Sequence, residues 1–241
     1  MKLAVAITIV ALASVGARAG DLAAGKLKAL ACQACHASAN ANAPHLVGQR
    51  EAYLVKQLTA FKSGDRKNDL MSAIAKQLSD ADIANLAAYW SAQPTGSDAT
   101  VSDAVAKITK PLMTLPKDFP KGFVVYSTDN DVEHHTTSKS YANTIALAAA
   151  KAGKPLPDGS AVIVVNYTPD TKATSYSGME AHAGWGVDVP PLLQNGNWSY
   201  NLWAADRTPK PDVNQAVCLA CHKPAAASSY VFTLDKIKAS H

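Results

Sequence analysis

The sequence has 241 residues, is 48% hydrophobic and carries a formal net charge of +4. That length allows one large domain or two small ones. The weak charge, with no basic tract interleaved with aromatics, gives no support for nucleic-acid binding.

The chain opens MKLAVAITIVALASVGARAG. Lys2 gives a positive start, Leu3 to Val15 an uncharged apolar stretch, and Ala17-Arg18-Ala19 a small-x-small cleavage form. This predicts a secretory signal peptide over residues 1–19, too short for a membrane span and followed by no stop-transfer pattern. Its removal takes away Lys2 and Arg18 and no acids, so +4 falls to +2. No later stretch is long and apolar enough to cross a bilayer, and a soluble periplasmic protein is expected.

From Asp21 to about Gln93 the texture is helical. Tyr53, Leu54, Leu58 and Phe61 share one helix face, which predicts core. Ser79-Asp80-Ala81-Asp82 reads as a capping box ahead of Ile83, Leu86, Ala87 and Trp90 at helical spacing. From Pro94 to Pro120 four prolines and small residues predict a linker, with a short helix around Val101 to Ile108. Beyond Lys121, residues Phe123 to Ser127, Ala161 to Tyr167 and Trp198 to Ala204 are β-branched and aromatic, hence strands. Tyr141 to Ala152 reads as an alanine-rich helix closed by Gly153. The order predicts an antiparallel α+β domain.

Four cysteines in an exported chain would ordinarily suggest two disulfides. Here they form two Cys-x-x-Cys pairs, Cys32 with Cys35 and Cys218 with Cys221, followed directly by His36 and His222. On a helical turn, residues three apart share a face and the next projects beside them. Two such thiols can each add to a vinyl group of one haem, and the imidazole then reaches the iron from the same side. Zinc ribbons place their pairs about 15–20 residues apart, far closer than here. A thioredoxin-like pair needs no trailing His and sits in a βαβ context that neither copy has. Plain disulfides leave both histidines unexplained. Two covalently bound c-type haems are therefore expected, with His36 and His222 as iron ligands.

For the first haem, Met71 in DLMSAIAKQLSD is the candidate sixth ligand; a thioether opposite imidazole favours reduced iron, as suits an electron carrier. The stretches CQACH, PHLVGQREAYLVKQLTAFKSGDR and LMSAIAKQLSDADIANLAAYW resemble a small class I cytochrome c of the diheme-carrier and photosynthetic-donor kind, over about residues 21–93. The resemblance implies that Pro44, Leu46, Gly48 and Gln49 pack by the proximal His36 and that Met71 is the distal ligand. Ala37 stands where that family commonly has Gly, and His45 is read as exposed.

For the second haem no Met or His stands at a matching distance. His134, His135, Met179 and His182 are candidates by type, and an iron open on one side is the other option. The stretches YANTIALAAAKAGKPLPDGSAVIVV, GMEAHAG, GNWSYNLWAADRTP and CLACHKPAAASSYVFT resemble the cytochrome P-460 family, which includes cytochrome c′-beta, over about residues 120–235. This implies a mainly antiparallel β domain, often dimeric, holding a c-type haem with an open distal face. Some members oxidise hydroxylamine, and the c′-beta members bind nitric oxide. The hydroxylamine oxidisers join a lysine to the haem edge from the strand after an Asp-Gly-Thr/Ser turn; here that strand, Ala161 to Val165, has no lysine. The family's distal carboxylate falls on Glu180, and with His182 it is the candidate catalytic pair.

The expectation is thus a two-domain chain: signal peptide 1–19, an all-α class I cytochrome c fold over 20–95, a linker over 96–119, and an α+β, mainly antiparallel β, cytochrome P-460-like domain over 120–241. The expected role is electron transfer between a His/Met haem and a second, ligand-binding haem. Expected partners are other periplasmic redox proteins, a gaseous or nitrogen-oxide ligand, and a second copy in a homodimer. Oxidation or reduction of hydroxylamine or nitric oxide at the second haem is the alternative, which leaves catalysis open.

Overall fold

The computed structural model describes residues 20–36, 43–94, 103–131, 133 and 135–240. The expected signal peptide, Ala37 and His134 lie outside them.

Four helices build the amino-terminal half: α1 (Leu22–His36), α2 (Glu51–Ser63), α3 (Asp69–Ala75) and α4 (Asp80–Ser91). The predicted capping box starts α4. Ser79 Oγ accepts from Asp82 N (3.1 Å) and Asp82 Oδ2 accepts from Ser79 N (3.0 Å), so two otherwise orphaned N–H groups are satisfied. Asn68 caps α3 by accepting from the N–H of Met71 (2.9 Å). Helix α1 crosses α4 at Gly25, where even a Cβ would meet the backbone oxygen of Asn85 at 2.1 Å. Lack of a side chain is what lets the two helices approach so closely.

The predicted linker contains α5 (Asp103–Thr109), whose Val105 and Ile108 are buried. This helix packs against α1, which a solvated linker would not do. After it come β1 (Phe123–Asp131), β2 (Thr136–Asn143), α6 (Thr144–Lys151), β3 (Ala161–Tyr167), β4 (Ala173–Ala181), β5 (Trp198–Ala204), α7 (Gln215–His222) and α8 (Leu234–Ala239). The strands form one antiparallel meander in the order β1-β2-β3-β4-β5. Two of them, β2 and β4, are strands the sequence reading did not include. Tyr141 to Asn143, expected at the start of a helix, close β2 instead. The side chain of Asn143 then caps α6, accepting from Ala146 N (3.0 Å) and Ala161 N (3.2 Å).

Side chains alternate across the sheet. On one face the paired residues Ala142, Val162, Met179 and Tyr200 lie under α6 and α7. On the other, Tyr141, Ile163, Val165 and Trp203 close over Phe119 and Met113 as a separate apolar cluster. The helix-covered face joins the amino-terminal half in one continuous core containing Ala29, Leu86, Val105, Val162 and Leu219.

Candidate functional site

Both Cys-x-x-Cys-His motifs end an α-helix, His36 in α1 and His222 in α7, and from His222 the chain runs on into a 3-10 helix over Lys223–Ser228. His36 Nδ1 donates to the carbonyl oxygen of Pro44 and His222 Nδ1 to that of Tyr230, each at 2.7 Å and each eight residues on. A carbonyl only accepts, so Nδ1 carries the proton and Nε2 keeps its lone pair for a metal. Burial holds both imidazoles below the ordinary histidine value, offset in part by these bonds, which leaves them neutral at pH 7. The cysteines form no disulfide. Burial, with the neighbouring thiol adding to it, pushes Cys32 up to about 12 and Cys218 up to about 11. Among the described residues no three His, Cys, Asp or Glu side chains converge as a metal cluster, so the zinc alternative has no site there.

The first motif opens on a cavity of about 430 Å³. Cys32, Cys35 and His36 line it from α1, Met71 from α3 and Trp90 from α4. Tyr53, Leu54, Leu58 and Phe61, the stripe expected to be core, form the wall from α2. Leu54 and Phe61 are buried, as expected of core, and only Tyr53, at the edge of the cavity, is 48% exposed. The Pro-x-Leu-x-Gly-Gln loop closes the proximal side, with Gly48 at φ +69° donating its N–H to Trp90 O (3.0 Å). His45 is exposed at the rim, as expected. The residues fit a haem of c type. Two thiols and a neutral imidazole share one helix end, a thioether stands in the same cavity, and the lining is mostly apolar. The buried indole N–H of Trp90, beside the Cys32 sulfur, has no well-formed partner of its own. Arg66 and Lys67 lie at the rim, where a group with carboxylates would meet cations.

The second motif sits on the helix-covered face of the sheet. The His222 ring lies between those of Tyr200 and Phe232, centroids 4.7 Å away on both sides. Asn195, almost fully buried, donates from one amide nitrogen to Tyr200 Oη and to Leu219 O, both at 3.0 Å. Lys223, directly after the motif, donates to Pro191 O (2.7 Å) and Gln194 O (2.9 Å). Together they bind the loop before β5 to α7. Beside Tyr200 on this face, the next cross-strand row is Ser140, Val164, Ser177 and Leu202. None of these side chains is an iron ligand.

The four candidate distal ligands fare differently. Met179 is buried in the core. His135 is exposed at a turn with φ +49°. His182 is exposed beyond β4, its ring 5.1 Å from that of Trp185. His134 lies outside the described residues. Glu180 pairs with Ser199 in register, one position from the Met179–Tyr200 pair, so it stands on the sheet face opposite His222. The catalytic pair expected from the family pattern is therefore not gathered around the second motif. Sequence reading missed Tyr230, Asn195 and Tyr200. Tyr230 and Asn195 serve through a main-chain oxygen and a buried amide, which leave no spacing signal.

Residues 116–233 match the family model for Cytochrome P460, and residues 21–89 match that for Cytochrome C oxidase, cbb3-type, subunit III. Cytochrome c4 of Pseudomonas aeruginosa is 47% identical over 79 residues, 31% of this chain and 39% of that protein. Cytochrome c-554(548) of Halomonas halodenitrificans is 43% identical over 82 residues, 31% of this chain and 99% of that one. A thiosulfate dehydrogenase electron acceptor of Thiomonas intermedia is 37% identical over 106 residues, 42% of this chain and 49% of that protein. The chain thus spans less than half of the cytochrome c4 and acceptor relatives but nearly all of the smaller cytochrome. Both families indicate covalently bound haem c, and no helix among the described residues is long and apolar enough to cross a membrane. With a helical module at one end and a five-stranded module that matches the Cytochrome P460 model at the other, the chain belongs to the class I cytochromes c over residues 21–89.

Proposed function

We propose that this chain is a periplasmic diheme c-type cytochrome that transfers electrons between a His/Met haem and a second haem able to bind a small ligand such as nitric oxide. The observation that carries it is the single apolar cavity shared by Cys32, Cys35, His36 and Met71. Haem c bound there supplies a one-electron Fe(III)/Fe(II) couple. The chain's residues do the rest. His36 presents Nε2 because Pro44 O holds Nδ1, Met71 offers its thioether from the capped start of α3, and the apolar wall excludes water, which favours the less charged reduced state. The cytochrome c4 and electron-acceptor relatives agree with a carrier role, and redox proteins of the same compartment are its partners.

At the second motif, His222 is poised in the same way by Tyr230 O, while the adjoining Ser140, Val164, Ser177 and Leu202 row offers no sixth ligand. That supports an open face. Hydroxylamine oxidation through a lysine crosslink has less support, since β3 has no lysine and Glu180 stands on the opposite face.

The test is an absorption titration of the reduced, haem-loaded chain with nitric oxide and with carbon monoxide. One haem is expected to bind and the other to stay inert. The reading fails if both remain six-coordinate and unresponsive. In a redox titration, Met71→Ala is expected to lower the potential of one couple alone.

A further inference from the structure

The cavity that holds the first motif is not built by the amino-terminal half alone. Leu193, from the loop before β5, and Val217 and Ala220, from α7, also line it. Val217 directly precedes Cys218 and Ala220 directly precedes Cys221, so the residues interleaved with the second pair of cysteines face the first. Three residues apart on a helix, Val217 and Ala220 share one face, while Cys218 and Cys221 share the next.

This contact is fixed on several sides. Asn214, which caps α7 by accepting from Ala216 N (3.0 Å), also donates its amide to the carbonyl of Ala34, between the first two cysteines. Gln77 donates to Leu192 O (3.5 Å), beside Leu193. Behind them Asn195 and Lys223 bind the Leu193 loop to α7, so loop and helix present one surface. Ala34, Leu193 and Ala220 are all buried, and α1 and α7 share one apolar core.

We propose that the first haem site is a composite of both domains: Leu193, Val217 and Ala220 complete its wall, so the helix carrying the second Cys-x-x-Cys-His also sets the polarity around the first haem. The inference rests on the two-haem reading above. Its consequence is electrostatic. The ferric state carries one more positive charge than the ferrous state, so a charge placed at the wall shifts their balance in a low-dielectric surrounding. A carboxylate there favours ferric iron and lowers the potential; an ammonium raises it. Val217 is the position to vary, because at 36% exposure it tolerates a polar side chain without emptying the core.

The experiment is an optical redox titration of the haem-loaded full chain and of Val217→Asp, Val217→Lys and Ala226→Asp, with the Met-ligated couple identified as the one whose potential falls in Met71→Ala. Ala226 is an exposed residue of the 3-10 helix over Lys223–Ser228 and does not line the cavity. For the Met-ligated couple we expect opposite shifts in Val217→Asp and Val217→Lys. Each should be about a tenfold change in the ferric-to-ferrous ratio at fixed poise, or about 59 mV for a one-electron couple. Ala226→Asp should leave that couple in place. General loosening of the fold would move both Val217 variants the same way, so a shift of like sign overturns the proposal. So does an unmoved couple in both, or an equal shift in Ala226→Asp. A titration with only one couple refutes the two-haem reading, and this inference falls with it.

Discussion

The crossing of α1 over α4 sets the position of His36, and Gly25 is where that crossing can be tested. A Cβ at Gly25 would lie 2.1 Å from the backbone oxygen of Asn85 and 2.8 Å from Tyr89 Cβ. Ordinary contact begins at 3.4 Å, so the helices must part by 1.3 Å. Alanine in place of glycine gains about 1 kcal/mol of helix propensity. Against it stands overpacking of about 1–3 kcal/mol, plus the dispersion lost along a separated interface that includes Ala29 and Leu86. The blocking atom belongs to the main chain and has no rotamer to escape into. Gly25→Ala is thus expected to destabilise by about 1–2 kcal/mol net, a fall of roughly 2–8 °C in Tm for a cooperative unit the size of the whole chain. The measurement is thermal unfolding of the haem-loaded chain by far-ultraviolet circular dichroism. Gly178→Ala is the comparison: its added Cβ meets the flexible tip of Met113 at 2.8 Å and the edge of Trp203 at 3.1 Å, side chains rather than main chain. An unchanged or higher Tm for Gly25→Ala would refute the reasoning, as would a larger loss in Gly178→Ala.

Removing the cap of α4 with Ser79→Ala should cost about 1 kcal/mol in urea unfolding, and adding Asp82→Ala should cost less than the separate changes combined, since the two share one box. Asn195→Ala leaves Tyr200 Oη and Leu219 O buried without their donor; a loss of about 2–3 kcal/mol is expected, and a loss below about 0.5 kcal/mol would show that water replaces the amide. Burial raises the carboxyl of Glu180 above its ordinary 4.5, offset in part by His182. Its folded value thus exceeds the unfolded one, and the stability it contributes is present below about pH 4.5 and lost as pH rises through the raised value. Glu180→Gln should therefore gain on the native chain as pH rises through that window. Parallel stability curves across it would contradict this.

Much of the site is legible in the sequence because its chemistry is local. Two thiols and an imidazole within five residues, a capping box and the β-branched runs of β3 and β5 each carry their signal within one element. What stayed hidden depends on partners far along the chain. The strand β2 reads TTSKSYAN and β4 reads ATSYSGMEA, rich in small and hydroxylated residues with little apolar alternation. They are strands because β3 lies between them and supplies hydrogen bonds on both sides. The α2 stripe was read correctly as a face, but whether a face meets side chains or a cavity is not a property of its spacing. Helix α5 looked like part of a linker because its composition is thin; Val105 and Ile108 are enough once α1 is beside them. Glu180 was matched by motif, and only the register reveals which side of the sheet it occupies.

The core that runs without interruption from Ala29 and Leu86 through Val105 to Val162 and Leu219 has a consequence for cooperativity. Two modules joined by a free linker would melt independently, each at its own temperature. Here part of the apolar surface of each half is covered by the other, so the first half to open exposes surface on its neighbour and lowers the barrier to losing it. Heat-capacity traces should therefore show one merged transition, and a change at the α1–α4 crossing should be felt in the sheet.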